Sequence, residues 1–322
     1  MRYYNIPIFI PHEGCPHDCS FCNQRKITGV TTTVKPHQVH SMIEKHLSFL
    51  PDCKRHIEVA FFGGSFTGLP LKKQENFYRV AGEFRGEIDG IRLSTRPDYI
   101  NAEVLSLAKA WGVTTIELGA QSAFDRVLVQ NLRGHTFQDT KEAAALIQDY
   151  GIGLGLQMMT GLPGSNREWD IKTAELLAEL KPDCVRVYPT LVLNGTAMEQ
   201  QYRAGEYSPQ TLEEAVETAK RVLTVFRNRE IPVIRLGLHA GEELREEGNI
   251  VAGPFHPAFG ELVENRIWRD RIEEEIKKTI SFPKEISIQV PFGEVSKAVG
   301  QKRCNLTYFQ EKYGVSVKIE SR

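Results

Sequence analysis

Short apolar runs alternate along this chain with longer stretches in which apolar residues recur every three or four positions. The short runs predict strands at Ile6 to Ile10, Ile57 to Phe62, Ile91 to Thr95, Thr115 to Gly119, Gly153 to Met159 and Cys184 to Tyr188. The amphipathic stretches predict helices at about Pro36 to Phe49, Leu71 to Arg85, Ala102 to Trp111, Thr136 to Tyr150, Glu168 to Leu180 and Pro209 to Arg229. Strand then helix thus repeats six times, and Val233 to Leu238 reads as a seventh strand. This order predicts an α/β fold of parallel strands with crossover helices, either an open doubly wound sheet or a barrel-like arc. In both, chemistry gathers beyond the carboxyl ends of the strands.

The segments that leave those ends are unusually polar or glycine-rich. Cys15 to Cys22 follows the first strand, GGSFTG from Gly63 the second, and TRPDY from Thr95 the third. GAQS at Gly119 to Ser122 follows the fourth, TGLPG at Thr160 to Gly164 the fifth, and YPTLV at Tyr188 to Val192 the sixth. All six loops are predicted to meet at one rim.

Composition narrows the class. With 322 residues, 41% hydrophobic and 25% charged, the chain reads as an ordinary globular protein. No segment approaches the roughly 18 consecutive apolar residues of a membrane span, and the start lacks the zones of a signal peptide, so a cytoplasmic location is expected. A formal net charge of −1 provides no global field for nucleic acid, and any RNA contact must come from a local patch. Six cysteines are too sparse for a disulfide framework. Cys53, Cys184 and Cys304 lie far apart and read as buried small hydrophobes.

The other three thiols crowd into EGCPHDCSFCNQ, Glu13 to Gln24. Four cysteines would saturate a zinc ion or an ordinary four-iron cluster, whereas three leave one metal position open. Zinc held with His12 or His17 is one reading of Cys15, Cys19 and Cys22. The other is a cluster whose unligated iron binds a substrate or cofactor directly. Structural zinc usually pairs two separated ligand groups, and here all three thiols sit in one loop.

The spacing C-x3-C-x2-C, with Phe21 before the last cysteine, resembles the signature of the radical S-adenosylmethionine enzymes. The resemblance implies a partial (βα)6 barrel and a [4Fe-4S] cluster held by Cys15, Cys19 and Cys22. It implies reductive cleavage of S-adenosylmethionine to a 5′-deoxyadenosyl radical, with an external electron donor such as flavodoxin or ferredoxin. Gly63, Gly64 and Ser65 match the Gly-Gly-Glu position that meets the methionine amino group, with Ser65 replacing the acid, so the backbone takes that role. Thr95, Glu117 and Gln121 match positions that contact ribose or methionine carboxylate, and Met158 to Gly161 matches the segment along the adenine. TRPDY, ELGAQS, NLRGHT and YPTLVLNGT resemble more closely the radical-SAM half of the catalytic subunit of Elongator and its short bacterial relatives, from about Ile6 to beyond Tyr207. That implies a transfer RNA substrate. The stretch after Arg245 is too short for the Elongator acetyltransferase domain, so the acetyl-coenzyme A step is not carried over.

The expected organisation is a core barrel over 1–240, a linker or barrel-covering segment over 241–280, and a small α+β module over 281–322. GPFHPAFGELVENR, Gly253 to Arg266, is expected across the barrel mouth, with His256 among its aromatics and prolines, and Glu242 to Glu247 reads as a solvated acidic run. The last stretch resembles the β-α-α-β core of a KH module, whose Gly-x-x-Gly loop clamps nucleic-acid backbone. Gly300 matches the first glycine and Arg303 replaces the second. Lys297, Lys302 and Arg303 would place positive charge at phosphates, or else form a solvated basic turn. Two other functions stay open: radical chemistry on a small molecule or peptide, and a non-enzymatic metal-binding protein.

Overall fold

The computed structural model describes residues 2–10, 13–15, 18–23, 34–51, 53–238, 244, 246–278 and 284–322. His12 and His17, the start of the acidic run at Glu242, and Ser281 lie outside the described residues.

Seven parallel strands form one open sheet in sequence order: β1 (Arg2–Ile10), β2 (Arg55–Gly63), β3 (Gly90–Thr95), β4 (Val113–Gln121), β5 (Gly153–Thr160), β6 (Cys184–Pro189) and β8 (Val233–Leu236). The two-residue strand β7 (Val192–Leu193) pairs antiparallel with β9 (Ile250–Ala252) beside it. The arc is the half-barrel that the resemblance implies and one of the two forms that the strand–helix alternation allows, with β1 and β8 as its two end strands. The crossover helices are α1 (Pro36–Phe49), α2 (Leu71–Gly82), α3 (Ala102–Ala110), α5 (Phe137–Asp149), α6 (Arg167–Glu179) and α8 (Leu212–Arg227). Two shorter helices that the pattern did not predict, α4 (Asp125–Gln130) and α7 (Ala197–Arg203), sit in the loops after β4 and β7. Thr136, Asn166 and Thr211 cap α5, α6 and α8 with their side-chain oxygens, which defines where each loop ends.

Side-chain alternation divides the sheet into two chemically different faces. Ile6, Ile8, Ile10, Ile57, Val59, Phe61, Leu93, Ile116 and Leu118 join the helices in one apolar core. Phe61, Phe66, Phe77 and Tyr78 pack ring against ring there, with Phe61 and Phe66 stacked at 4.9 Å. The concave face carries Glu58, Arg92, Glu117, Gln157 and Arg186, so the barrel interior is polar.

None of residues 253–266 lines the rim cavity described below. Phe259–Lys278 forms a 20-residue helix, α9, whose Phe259 and Val263 are buried against Ala215, Val216, Ala219 and Leu223 of α8. The apolar stripe then shifts by one position, and Trp268, Ile272 and Ile276 serve a second core. That core belongs to the C-terminal module: β10 (Glu285–Val290), α10 (Val295–Val299), α11 (Cys304–Tyr313) and β11 (Ser316–Ser321), with β10 and β11 parallel. One helix therefore carries the module on the flank of the half-barrel. Cys53 and Cys304 are exposed, not buried, because one lies in the loop before β2 and the other opens α11; Cys184 is buried as expected.

Ile272 is 1% exposed and shared between α9 and the module. Ile272→Ala should destabilise the module by about 2–5 kcal/mol. Hydrogen exchange should quicken across β10 and β11 while β3 to β5 stay protected; uniform exchange throughout would contradict this attachment.

Candidate radical-SAM active site

A cavity of about 670 Å³, counting its open mouth, lies at the carboxyl ends of the strands. It is lined by Cys15, Cys19 and Cys22, by Gly63, Gly64 and Ser65, and by Thr95, Gly119, Gln121, Arg96 and Arg133. Each cysteine is half-buried. Among the described residues no three His, Cys, Asp or Glu side chains are arranged to hold one metal ion. A four-iron cluster asks something different of its cysteines, since each binds a separate iron.

Glycine allows the cysteine loop to rest directly on the loop after β2. A Cβ on Gly64 would lie 2.1 Å from the Glu13 carbonyl oxygen, and one on Gly14 would lie 2.1 Å from that of Ser65. A Cβ on Gly68 would meet the Gly14 carbonyl oxygen at 2.3 Å. The close approach expected between the glycine pair and a ligand is thus first an approach of chain to chain. The Glu13–Lys73 ion pair closes one end of this contact. At the other end, the Ser20 hydroxyl donates to Asn131 Oδ1 at 2.8 Å, and Asn131 Nδ2 donates to the Pro163 carbonyl at 3.0 Å. The Met198 amide donates to the Ser20 carbonyl at 2.8 Å, and Asn23 Nδ2 donates to the Asn194 carbonyl at 2.9 Å.

The rim positions expected from the sequence divide in two. Ser65 and Thr95 share a hydroxyl hydrogen bond of 2.8 Å, and the Arg96 amide donates to Ser65 Oγ at 3.3 Å. The Ser65 side chain is thereby used inside the protein. Gln121 sits at φ 64° beside a register shift between Gly119 and Gln121, which turns its side chain toward the cavity. Its Oε1 is buried with no hydrogen-bond partner among the described residues.

Glu117, Met158 and Gly161 do not line the cavity. Glu117 is 1% exposed and accepts from Arg92 Nη1 at 3.0 Å, Arg186 Nη2 at 2.9 Å and Gln157 Nε2 at 3.1 Å. Burial alone would raise its pKa, but Arg186 and Arg92 reverse this and hold it below the ordinary carboxylate value. Both its oxygens are occupied, so it braces the concave face and has none to offer a ligand. Gly155 makes room for it, since a Cβ there would meet Glu117 Cγ at 2.7 Å. Met158 is fully buried in the core on the helix side of β5. Gly161 has both backbone groups engaged, its amide donating to Asp170 Oδ2 at 2.8 Å and its carbonyl accepting from the Tyr207 hydroxyl at 2.7 Å.

Sequence reasoning missed Arg133 and Arg96. Arg133 is 6% exposed, donates to Cys19 Sγ at 3.1 Å and to the Gly119 carbonyl at 2.7 Å, and leaves Nε buried without a partner among the described residues. Arg96 is locked to Asp98 by two hydrogen bonds of 2.9 and 2.8 Å. Both arginines stand inside segments singled out above, NLRGHT and TRPDY, and that was the available signal. His256 accepts from the Ala258 amide at 3.1 Å and is not among the residues that line the cavity.

A family model described as the radical SAM superfamily matches residues 9–177, more than half of the chain, and a radical SAM C-terminal domain model matches residues 182–269. The chain belongs to the radical SAM superfamily. It is therefore an enzyme of a class that uses a [4Fe-4S] cluster and S-adenosylmethionine. The three cysteines of one loop and the orphaned polar atoms of Gln121 and Arg133 on the same cavity fit such a pair of cofactors.

Among relatives, a tRNA uridine(34) acetyltransferase of Methanocaldococcus jannaschii is 32% identical, over 66% of this chain and 47% of its own length. Human Elongator complex protein 3 is 29% identical, over 59% of this chain and 40% of its own length. The chain thus spans less than half the length of these relatives. Among solved structures, the archaeal Methanocaldococcus infernus Elp3 lacking residues 1–46 superposes with a TM-score of 0.64 and 23% identity, over 85% of this chain and 63% of that one. Coproporphyrinogen III oxidase of Escherichia coli superposes at 0.52 with 17% identity, over 71% and 52%. Both share the fold.

Gly64→Ala should destabilise the chain by about 1–3 kcal/mol through overpacking and lower the iron retained per chain after anaerobic reconstitution. Unchanged denaturation midpoint and iron content would show that the loops do not depend on this contact.

Asp170, 2% exposed, has its pKa pushed up to about 7 by burial, against the opposing hydrogen bonds from Ser165 and Gly161. The folded chain therefore keeps a proton that an unfolded aspartate has released between about pH 4 and 7, and stability falls as pH rises through that window. Asp170→Asn should flatten this dependence in urea midpoints compared at pH 5 and pH 8; parallel profiles for the two proteins would refute it.

Proposed function

We propose that this enzyme modifies a nucleobase of transfer RNA by radical chemistry. The observation that carries the proposal is the shared cavity of Cys15, Cys19, Cys22, the Gly63–Ser65 backbone and Gln121, in a chain 32% identical to a protein named for acting on uridine 34 of tRNA. Cys15, Cys19 and Cys22 would hold the cluster, leaving one iron for S-adenosylmethionine. When bound, the pair supplies a one-electron reductive cleavage and a carbon radical able to remove hydrogen from substrate.

The chain's own residues place and shield that chemistry. Arg133 directs a charged donor at the Cys19 sulfur and so helps to orient that side chain at the cavity. Gln121 and the Gly63–Ser65 backbone offer hydrogen bonds to the polar groups of S-adenosylmethionine. The stacked contact of Gly14, Gly64 and Gly68 leaves no side chain at this seam of the cavity wall.

At the module, Lys297 is paired with Glu294 at 2.6 Å, so the expected basic patch reduces to Lys302 and Arg303. Both are exposed, have positive φ and form no ion pair among the described residues, next to Gly300 at φ 79°. We read this turn as a phosphate contact. Among the described residues no helix is long and apolar enough to cross a membrane. A cytoplasmic location and an electron donor such as flavodoxin or ferredoxin complete the proposal.

Anaerobically reconstituted protein with a strong reductant should form 5′-deoxyadenosine from S-adenosylmethionine, and bulk transfer RNA should raise the rate several-fold. The combined Cys15→Ala, Cys19→Ala, Cys22→Ala variant should form none. Product formation that transfer RNA leaves unchanged, or that a small molecule or peptide stimulates instead, would overturn the RNA substrate.

A further inference from the structure

On the concave face of the half-barrel, one arginine has no carboxylate partner among the described residues. Arg92 and Arg186 are each compensated, sharing Glu117, with Glu58 also accepting from Arg92 Nε at 2.8 Å. Arg235 on β8 stands in register with Arg186 and so shares its face. Arg235 is half-buried and has no hydrogen bond or ion pair among the described residues. A half-buried guanidinium without a carboxylate partner keeps its hydrogen-bond donors available to an anionic ligand. Tyr188, on the same face of β6 as Arg186, lies close enough to both arginines to feel their charge.

Across the arc, the same face turns aromatic. Phe9 on β1 pairs in register with Phe62 on β2, with ring centroids 6.4 Å apart, and both rings are half-buried. The Arg186 guanidinium lies 5.1 Å from the Phe62 ring centroid. Flat apolar surfaces on the same face as an unpaired guanidinium are what a single-stranded nucleotide needs: rings for the base and a bidentate cation for the phosphate. Phe9 and Arg235 stand on the two end strands, so these groups flank the open side of the arc.

We propose that Phe9, Phe62, Tyr188 and Arg235 form a nucleotide subsite on the concave face, where a splayed-out RNA base stacks on the phenylalanines and its flanking phosphodiester is held by Arg235. This rests on the RNA reading above and names the surface that would present the base to the rim cavity. The charge is selective in kind, because Arg186 is already saturated by Glu117 and, among the described residues of this face, Arg235 is left to bind an anion. A free mononucleotide shares this chemistry but lacks the rest of the chain's phosphates, so it should bind far more weakly than an RNA loop.

The test uses the full chain and a stem–loop RNA whose unpaired loop carries a fluorescent base analogue, with uridine monophosphate as the small-ligand arm. Wild type should bind the stem–loop and quench the analogue. Arg235→Gln should weaken binding about ten-fold and reduce the slope of log affinity against log salt by about 1. Phe9→Leu and Phe62→Leu should leave that slope unchanged while removing most of the quenching. Thermal unfolding of each variant checks folding, and because the two kinds of variant are expected to move different readouts, a general loss of structure would not reproduce the pattern. If wild type binds no RNA even at low salt, the RNA reading itself fails. If wild type binds but all three variants keep its affinity, slope and quenching, the subsite alone is wrong. Equal affinity for uridine monophosphate and stem–loop would also overturn it, in favour of a free nucleotide ligand.

Discussion

Backbone packed directly on backbone sets the position of the cysteine loop. Gly14, Gly64 and Gly68 interlock at distances that no Cβ tolerates, and this contact ties a loop from the end of β1 to the loop after β2. The loop is short and polar, and has little apolar surface of its own to bury, so its order must be supplied by its neighbours. Asn131, Asn194 and the start of α7 supply the rest through hydrogen bonds to Ser20 and Asn23. Every function assigned to the rim depends on three thiols being held beside Gly63, Gln121 and Arg133 before any cofactor arrives.

A second constraint follows from the way the sheet divides its faces. Outward residues bury hydrocarbon beneath the helices, and that core gives the half-barrel its stability. The inward face includes a charged cluster, which persists in a largely desolvated interior because Glu117 is shared between Arg92 and Arg186, with Glu58 completing the set. The arrangement braces four strands from inside while leaving the aromatic and cationic groups near the end strands available to a ligand.

How much of this was legible in the sequence depends on the range of the interaction. The strand–helix alternation was readable because its periods of two and 3.6 are local, and helix α1 begins and ends where its pattern does. The cysteine loop was readable because three thiols in eight positions are chemically unusual. Helix α9 was not, because its apolar stripe shifts by one position between Ile267 and Trp268 as it passes from one core to another. Glu117 was identified as a polar residue near the rim, but its partners lie on β3, β5 and β6 and only the fold brings them together. Arg133 carries the same lesson, since its contact with Cys19 spans 114 positions of sequence. Gly64 was expected to serve closeness, correctly in kind, but its nearest neighbour is the chain itself.

The central claim is that three cysteines on one supported loop hold a cluster with one iron open to the cavity. Electron paramagnetic resonance of the reduced, anaerobically reconstituted protein tests it most directly, recorded before and after S-adenosylmethionine is added. A four-iron signal whose g-values change on addition is the predicted result, since the methionine end of the ligand would bind the open iron. Superimposable spectra, or a protein that retains zinc and no iron, would contradict it.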